Sequence, residues 1–163
     1  VTDQPDADRD VGETEGVVTV ERVIPAPADA IFDLLADPDR HHDIDGSGTV
    51  VHAKEGSQRL ALGKRFGMSM KVGIPYSMVS TVVEFEEGRR IAWQTRGPGN
   101  LGGGRIWRYQ LEPVDGGTKV RESWDITGES RLSKWMVKGQ ADNTRKNMAA
   151  TLARIEELLT RRP

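Results

Sequence analysis

Residues 17–46, VVTVERVIPAPADAIFDLLADPDRHHDIDG, constrain the fold more than any other part of the chain. They require a strand, a sharp turn, an amphipathic helix and a second, broken helix, in that order. Val18, Val20, Arg22 and Ile24 alternate with Thr19, Glu21 and Val23 in a β-branched run, the pattern of a strand with one buried face. Pro25 ends the run. Pro27 suits the first turn of a helix, where its missing amide hydrogen would have no partner anyway. Ala30, Ile31, Leu34 and Leu35 then recur at three- and four-residue spacing, so one helix face is apolar. The residue before a proline is pushed out of the α region, so Asp37 must leave the helix and Pro38 can open a short second one around 39–42.

After Gly46-Ser47-Gly48 the pattern predicts six strands, at 49–54, 64–72, 76–85, 90–96, 104–112 and 118–126, separated by turns such as Glu87-Gly88 and Asp115-Gly116-Gly117. Short links between successive strands imply an antiparallel meander, which can curl and leave a hollow on its concave side. The segment 130–161 reads as one long helix with Gly139 as its internal breaker. Val137, Ala141, Thr144, Met148, Leu152, Ile155 and Leu159 form the stripe that would pack on the sheet. Leu132, Trp135 and Met136 lie off that stripe. Either they are exposed, at a cavity mouth, a dimer contact or a membrane surface, or a bend at Gly139 buries them.

The 163 residues suffice for one domain. The first sixteen carry six acids and only Arg9, with little apolar content, and are expected to be a disordered acidic tail preceding a domain over 17–162. Without them the chain's 25 acidic and 23 basic residues become 19 and 22, a weakly basic body that points to no nucleic-acid partner. The absence of cysteine excludes disulfides and thiolate metal ligands and fits a reducing cytoplasm. No signal-peptide pattern and no run of about eighteen apolar residues is present, so integral membrane association is not expected.

With these elements the chain resembles the START-like or SRPBCC superfamily, in particular its polyketide cyclase/dehydrase and lipid-transport branch common in actinobacteria. The residues that carry the likeness are Val20-Glu21-Arg22, Pro25-Ala26-Pro27 and Ile31-Phe32, Asp37-Pro38, Gly63-Lys64-Arg65-Phe66, Val83-Glu84-Phe85, Arg90-Ile91-Ala92-Trp93, Trp107 through Leu111-Glu112-Pro113, and Gly117-Thr118-Lys119-Val120. The resemblance covers about 17–160. It implies an α+β helix-grip fold: a curved seven-stranded antiparallel sheet wrapped around a long C-terminal helix, with two short helices after the first strand. Members of the superfamily bind sterols, lipids, hormones or polyketides, and some are cyclases or aromatases. A shared fold does not by itself transfer an activity.

Strand alternation predicts which residues face the concave side. Ile91 and Trp93 share one face; so do Trp107, Tyr109 and Leu111, with Arg105 in phase, and Val120, Glu122, Trp124 and Ile126. Phe66, Met68, Met70 and Val72 form another set, and Ser77, Val79, Thr81, Val83 and Phe85 a fifth. Together with Trp135, Met136 and Met148 from the helix, and His41 and His42 near one end, these would line a cavity for an apolar ligand or else fill a closed core. Glu122 is the sharpest test, because an inward carboxylate needs a partner such as Arg105 or Arg108 or its pKa rises.

Other motifs carry less chemistry. His41 and His42 are adjacent and diverge on a helix, so no metal site is expected there; they read as lining or gate residues. The glycine-rich stretch 97–104 leads into a strand rather than a helix, so it is a hairpin loop and not a phosphate cradle. No Gly-x-Ser-x-Gly is present. The expected function is binding or transport of a hydrophobic or amphipathic small molecule, lipid or polyketide-like, by a monomer or homodimer without a cofactor. The rival is a cyclase/dehydrase in which Glu122, Tyr109, Arg105 or Ser77 moves protons. A third reading is an interaction protein with a filled core and a Trp135/Met136 partner patch.

Overall fold

The structure is a computed structural model, described for residues 9–10, 14–55, 57–100 and 102–161. One antiparallel sheet is built from β1 (Arg9–Asp10), β2 (Val17–Ile24), β3 (Val50–Ala53), β4 (Arg65–Val72), β5 (Ile74–Glu86), β6 (Arg90–Arg96), β7 (Gly103–Val114) and β8 (Gly117–Asp125). Its order is β1-β2-β8-β7-β6-β5-β4-β3, so the meander from β3 to β8 brings the last strand back beside β2. The helices are α1 (Ala28–Leu35), α2 (His41–Ile44), α3 (Arg131–Val137) and α4 (Ala141–Thr160). Seven strands, β2 to β8, form the curved sheet that grips α4, the helix-grip arrangement.

The opening segment folds as its pattern requires. Ile31, Phe32, Leu34 and Leu35 are the buried face of α1, and the Ala36 amide donates to the Phe32 carbonyl at its end. Asp37 is extended, and its side chain accepts from the Asp39 amide to start the 3-10 turn Pro38–Arg40. That turn runs directly into α2. At Gly46 the chain then presses against α4: a Cβ there would lie 2.1 Å from the Asn147 carbonyl oxygen. The Gly46 amide instead donates to Thr151 Oγ1 at 3.0 Å.

On α4, Thr144, Met148, Thr151, Leu152 and Ile155 are buried, and the Arg22 guanidinium pairs with Glu156 to tie the C-terminal half to β2. Aliphatic burial and this ion pair set the helix across the concave face, next to β2 and β8.

Two expectations need correction, and another falls mostly outside the described residues. The long helix is two helices, because Lys138–Gln140 breaks it and Gly139 takes φ +90°, a left-handed conformation that glycine adopts without a Cβ penalty. That break does not bury the off-stripe residues: Leu132, Trp135 and Met136 are all exposed. The expectation of a disordered tail over 1–16 is the one mostly outside the described residues; within it Arg9–Asp10 pairs with Val20 and Glu21. The second correction concerns β5. Val82 pairs with Trp93 and Glu84 with Ala92, which leaves Val83 as an extra residue in a β-bulge. A bulge reverses the alternation, so a phase carried back from Phe85 is wrong for everything before it. Ser77, Val79, Thr81 and Val83 therefore leave the concave face, and Ser80 and Val82 take their place.

Candidate functional site

The register stacks the concave side into layers that cross the sheet. One runs Val82, Trp93, Trp107, Trp124, Val18 from β5 through β6, β7 and β8 to β2. The next runs Phe85, Ile91, Tyr109, Glu122, Val20 in the same order. A third carries Phe66, Ser80, Thr95 and Arg105 across β4 to β7. Residues directly opposite on adjacent strands have Cβ atoms about 5 Å apart, so each layer is a continuous strip of touching side chains.

His41 reaches into these strips from α2. Its ring stacks on Trp93 with centroids 5.0 Å apart and meets Phe66 edge-on at 5.6 Å, while Trp93 lies 5.5 Å from Tyr109. Burial lowers the His41 pKa below 6.5, against the hydrogen bond to Leu35 and the charges of Asp37 and Asp45. The ring is therefore neutral near pH 7. A carbonyl can only accept, so Nε2 carries the hydrogen and donates to the Leu35 oxygen at 2.9 Å. This bond and the stack on Trp93 hold the His41 ring in place as part of the aromatic wall. His42 points to the surface beside Asp43 at 3.0 Å, and the two rings diverge.

Glu122 is 2 % exposed and sits at the centre. The Tyr109 hydroxyl donates to its Oε1 at 2.8 Å, and Oε2 has no hydrogen-bond partner among the described residues. Neither Arg105 nor Arg108 reaches it: Arg105 pairs with Glu129 and Arg108 with Glu84. Burial, opposed in part by the Tyr109 bond and reinforced by the charge of Asp45, raises the Glu122 pKa to about 8. At neutral pH the carboxyl is thus mostly protonated. Because Oε1 already accepts from Tyr109, the proton belongs on Oε2, where it is a buried donor without an acceptor. Burial also keeps Tyr109 protonated well above the usual phenol range.

Asp45 caps this end of the site. Its carboxylate accepts from the amides of Ser47, Thr49 and Val50, which fixes the turn between α2 and β3. The turn also lies against α4 through Gly46. At the other end Arg105 Nε donates to Glu129 at 3.0 Å, and Ser133 Oγ donates to the second oxygen of Glu129. The Glu129 side chain is wholly buried, so this ion pair fastens α3 to the sheet beside Trp107.

Of the residues picked from the sequence, Phe66, Met68, Trp93, Tyr109, Glu122, Trp124, Met148 and His41 share the buried core, and Trp107 packs against it half-buried. Ser80 and Thr95 were missed. Their hydroxyls bond each other at 2.9 Å in the buried layer, and the pair of adjacent valines, Val82-Val83, was the one sign that strict alternation fails there. Glu129 was also missed, because no local pattern marks a carboxylate that pairs across 24 residues. Val79 and Thr81 line a convex-face cleft of about 270 Å³ with Arg65 and Arg96. Met70 and Ser77 line a second surface cleft of about 340 Å³ with His52 and Tyr76.

A curved sheet closed on a long helix, with an aromatic concave face that buries Glu122, defines the helix-grip class of fold. The chain belongs to the polyketide cyclase / dehydrase and lipid transport family, whose model matches residues 15–160. It is 29 % identical over 144 residues to the uncharacterized protein Rv0088 of Mycobacterium tuberculosis; the match takes in 85 % of this chain and 62 % of that one. The chain thus spans less than two thirds of that relative's length. In structure it is similar to Ms6760 of Mycobacterium smegmatis, with TM-score 0.70, 19 % identity, and coverage of 94 % of this chain and 98 % of that one. It is similar also to DynU16, a protein of the dynemicin biosynthetic locus, with TM-score 0.65, 16 % identity, and coverage of 90 % and 48 %. Among the described residues no helix is long and apolar enough to cross a membrane.

Proposed function

We propose that this domain binds a hydrophobic or amphipathic small molecule, lipid or polyketide-like, between the concave sheet face and α4, in the cytoplasm and as a monomer or homodimer. The observation that carries the reading is the Glu122 carboxyl, buried on the concave face beside Tyr109 and Trp124 with its Oε2 left without a hydrogen-bond partner among the described residues. A buried polar group without a partner costs about 1–3 kcal/mol, which an acceptor on a ligand would recover. The surrounding rings would supply apolar contact, and a carbonyl or hydroxyl oxygen on the ligand would meet Oε2. Such a ligand is mostly hydrocarbon or aromatic with one internal oxygen. Membership of a family described by polyketides and lipid transport supports the same class.

A second reading has its own observation. A carboxyl with a pKa of about 8, bonded to a phenol, holds a proton at a strength suited to transfer near neutral pH. In a cyclase the concave face would hold a folded poly-β-ketone while the enol carbon of one unit attacks the carbonyl carbon of another; Glu122 would protonate the oxygen of the attacked carbonyl, and its carboxylate would take back the proton that the enol hydroxyl releases as it becomes a ketone. Tyr109 would then position the acid.

The test is native mass spectrometry of protein purified from its own host, followed by titration of the stripped protein with a fluorescent fatty acid and an aromatic polyketide. We expect a retained small molecule and saturable binding of at least one probe, weakened roughly tenfold in Glu122→Leu, which cannot donate, and kept in Glu122→Gln, which can. Absence of both retained ligand and probe binding overturns the reading. Turnover of a polyketide that Glu122→Gln abolishes while leaving binding intact would select the enzyme.

A further inference from the structure

The short helix α3 presents two opposite faces. Ser133 and Val137, four residues apart, are buried, and Ser133 holds the Glu129–Arg105 pair that fastens the helix to the sheet. On the other side Leu132, Trp135 and Met136 are 68 %, 72 % and 60 % exposed, at the i, i+3, i+4 spacing of one surface patch. These side chains contribute nothing to the core. They include one of the chain's four tryptophans and one of its five methionines.

The charges around the patch have one sign. Arg131, Lys134 and Lys138 edge it, and the segment 130–140 contains no acid at all. Extended to residue 146 it holds five basic residues and one acid, Asp142, which pairs with Arg145. The nearest acid before it, Glu129, is buried and already paired. In a chain of formal net charge −2 this is a marked local excess.

We propose that α3 is a docking element for an anionic lipid bilayer: Leu132, Trp135 and Met136 enter the interfacial region while Arg131, Lys134 and Lys138 meet the lipid phosphates. Tryptophan favours that zone because its ring is apolar and its indole N–H polar, and long basic side chains extend to the headgroups from an immersed helix. A second copy of the chain is the lesser candidate. Three side chains of this size expose on the order of 400 Å², about half of the ~800 Å² per partner that a stable dimer buries. Three like charges beside the patch would also repel across a two-fold axis. Bilayer docking does not depend on what the concave face holds, though it would bring a lipid-binding domain to its source.

The probe is flotation with vesicles of phosphatidylcholine alone and of phosphatidylcholine mixed with phosphatidylglycerol, at low and high salt. The wild-type chain should float with the mixed vesicles at low salt, and much less with neutral vesicles or at high salt. Arg131→Glu/Lys134→Glu/Lys138→Glu should bind on the order of a hundredfold more weakly, as loss of about 1 kcal/mol per basic residue implies. Leu132→Ser/Trp135→Ser/Met136→Ser should lose binding at unchanged charge. Both variants alter only exposed side chains, and equal melting temperatures would show that the fold persists. Equal flotation of wild type and the serine variant overturns the proposal. So does a dimer, seen by light scattering, that the serine variant dissociates, because the patch then belongs to a protein interface.

Discussion

Replacing Glu122 by glutamine should make the protein more stable, and the gain should grow with pH. In the folded state the carboxyl has a pKa of about 8, against 4.5 for the free side chain. Between those values the folded protein keeps a proton that the unfolded chain has lost. Stability then falls as pH rises, by about 1.4 kcal/mol per unit, and is flat above the folded value. The contribution is fully present below about pH 4.5 and lost through pH 8. The window spans roughly 3.5 units, so the total cost of ionising Glu122 approaches 5 kcal/mol at high pH, an order-of-magnitude figure. Glutamine has nearly the same shape, keeps the acceptor for the Tyr109 hydroxyl and does not titrate. The assay is urea denaturation of both proteins, followed by far-UV circular dichroism, at intervals from pH 5 to pH 9. Taking the difference between the two cancels every other titrating group, His41 included. We expect near-equality at pH 5 and an advantage for the glutamine variant of about 3–5 kcal/mol at pH 8–9. A difference that does not change with pH would mean that Glu122 is ionised in the folded protein, and would refute the argument from burial and the unpaired Oε2.

Three further outcomes follow from the same geometry. His41→Phe should keep the stack on Trp93 and gain stability relative to wild type as pH falls below about 6.5, where the unfolded histidine takes up a proton that the buried ring refuses; the difference in urea midpoint between the two proteins, larger at pH 5 than at pH 7, checks this. Arg105→Gln leaves Glu129 buried without its cation and should cost about 3 kcal/mol or release α3, seen as faster amide exchange over 131–137 than in wild type. Gly46→Ala drives a methyl group into the α4 backbone at Asn147 and should cost about 3 kcal/mol by thermal or urea unfolding, since backbone cannot rotate away as a side chain can.

Much of the architecture was legible because it is written in short-range patterns. The strand predicted at 90–96 is β6 as observed, and Asp37-Pro38 ends α1 where the steric restriction before proline requires. The stripe from Thr144 to Ile155 is the buried face of α4, since helical periodicity depends only on spacing. The inward placement of Trp93, Tyr109, Glu122 and Trp124 followed from alternation and a regular ladder. Tertiary structure decided the rest. The bulge at Val83 sends Val79 and Thr81 outward, and alternation cannot foresee a residue that only strand pairing squeezes out. The break at Lys138–Gln140 leaves Trp135 in solvent, because burial depends on whether another layer lies over a face and not on the face being apolar. Identity alone said that Glu122 is an acid. That it is a protonated one, beside Tyr109 and beyond reach of Arg105 and Arg108, arises from the closing of three elements around it, since a charge is expensive only once water has been excluded.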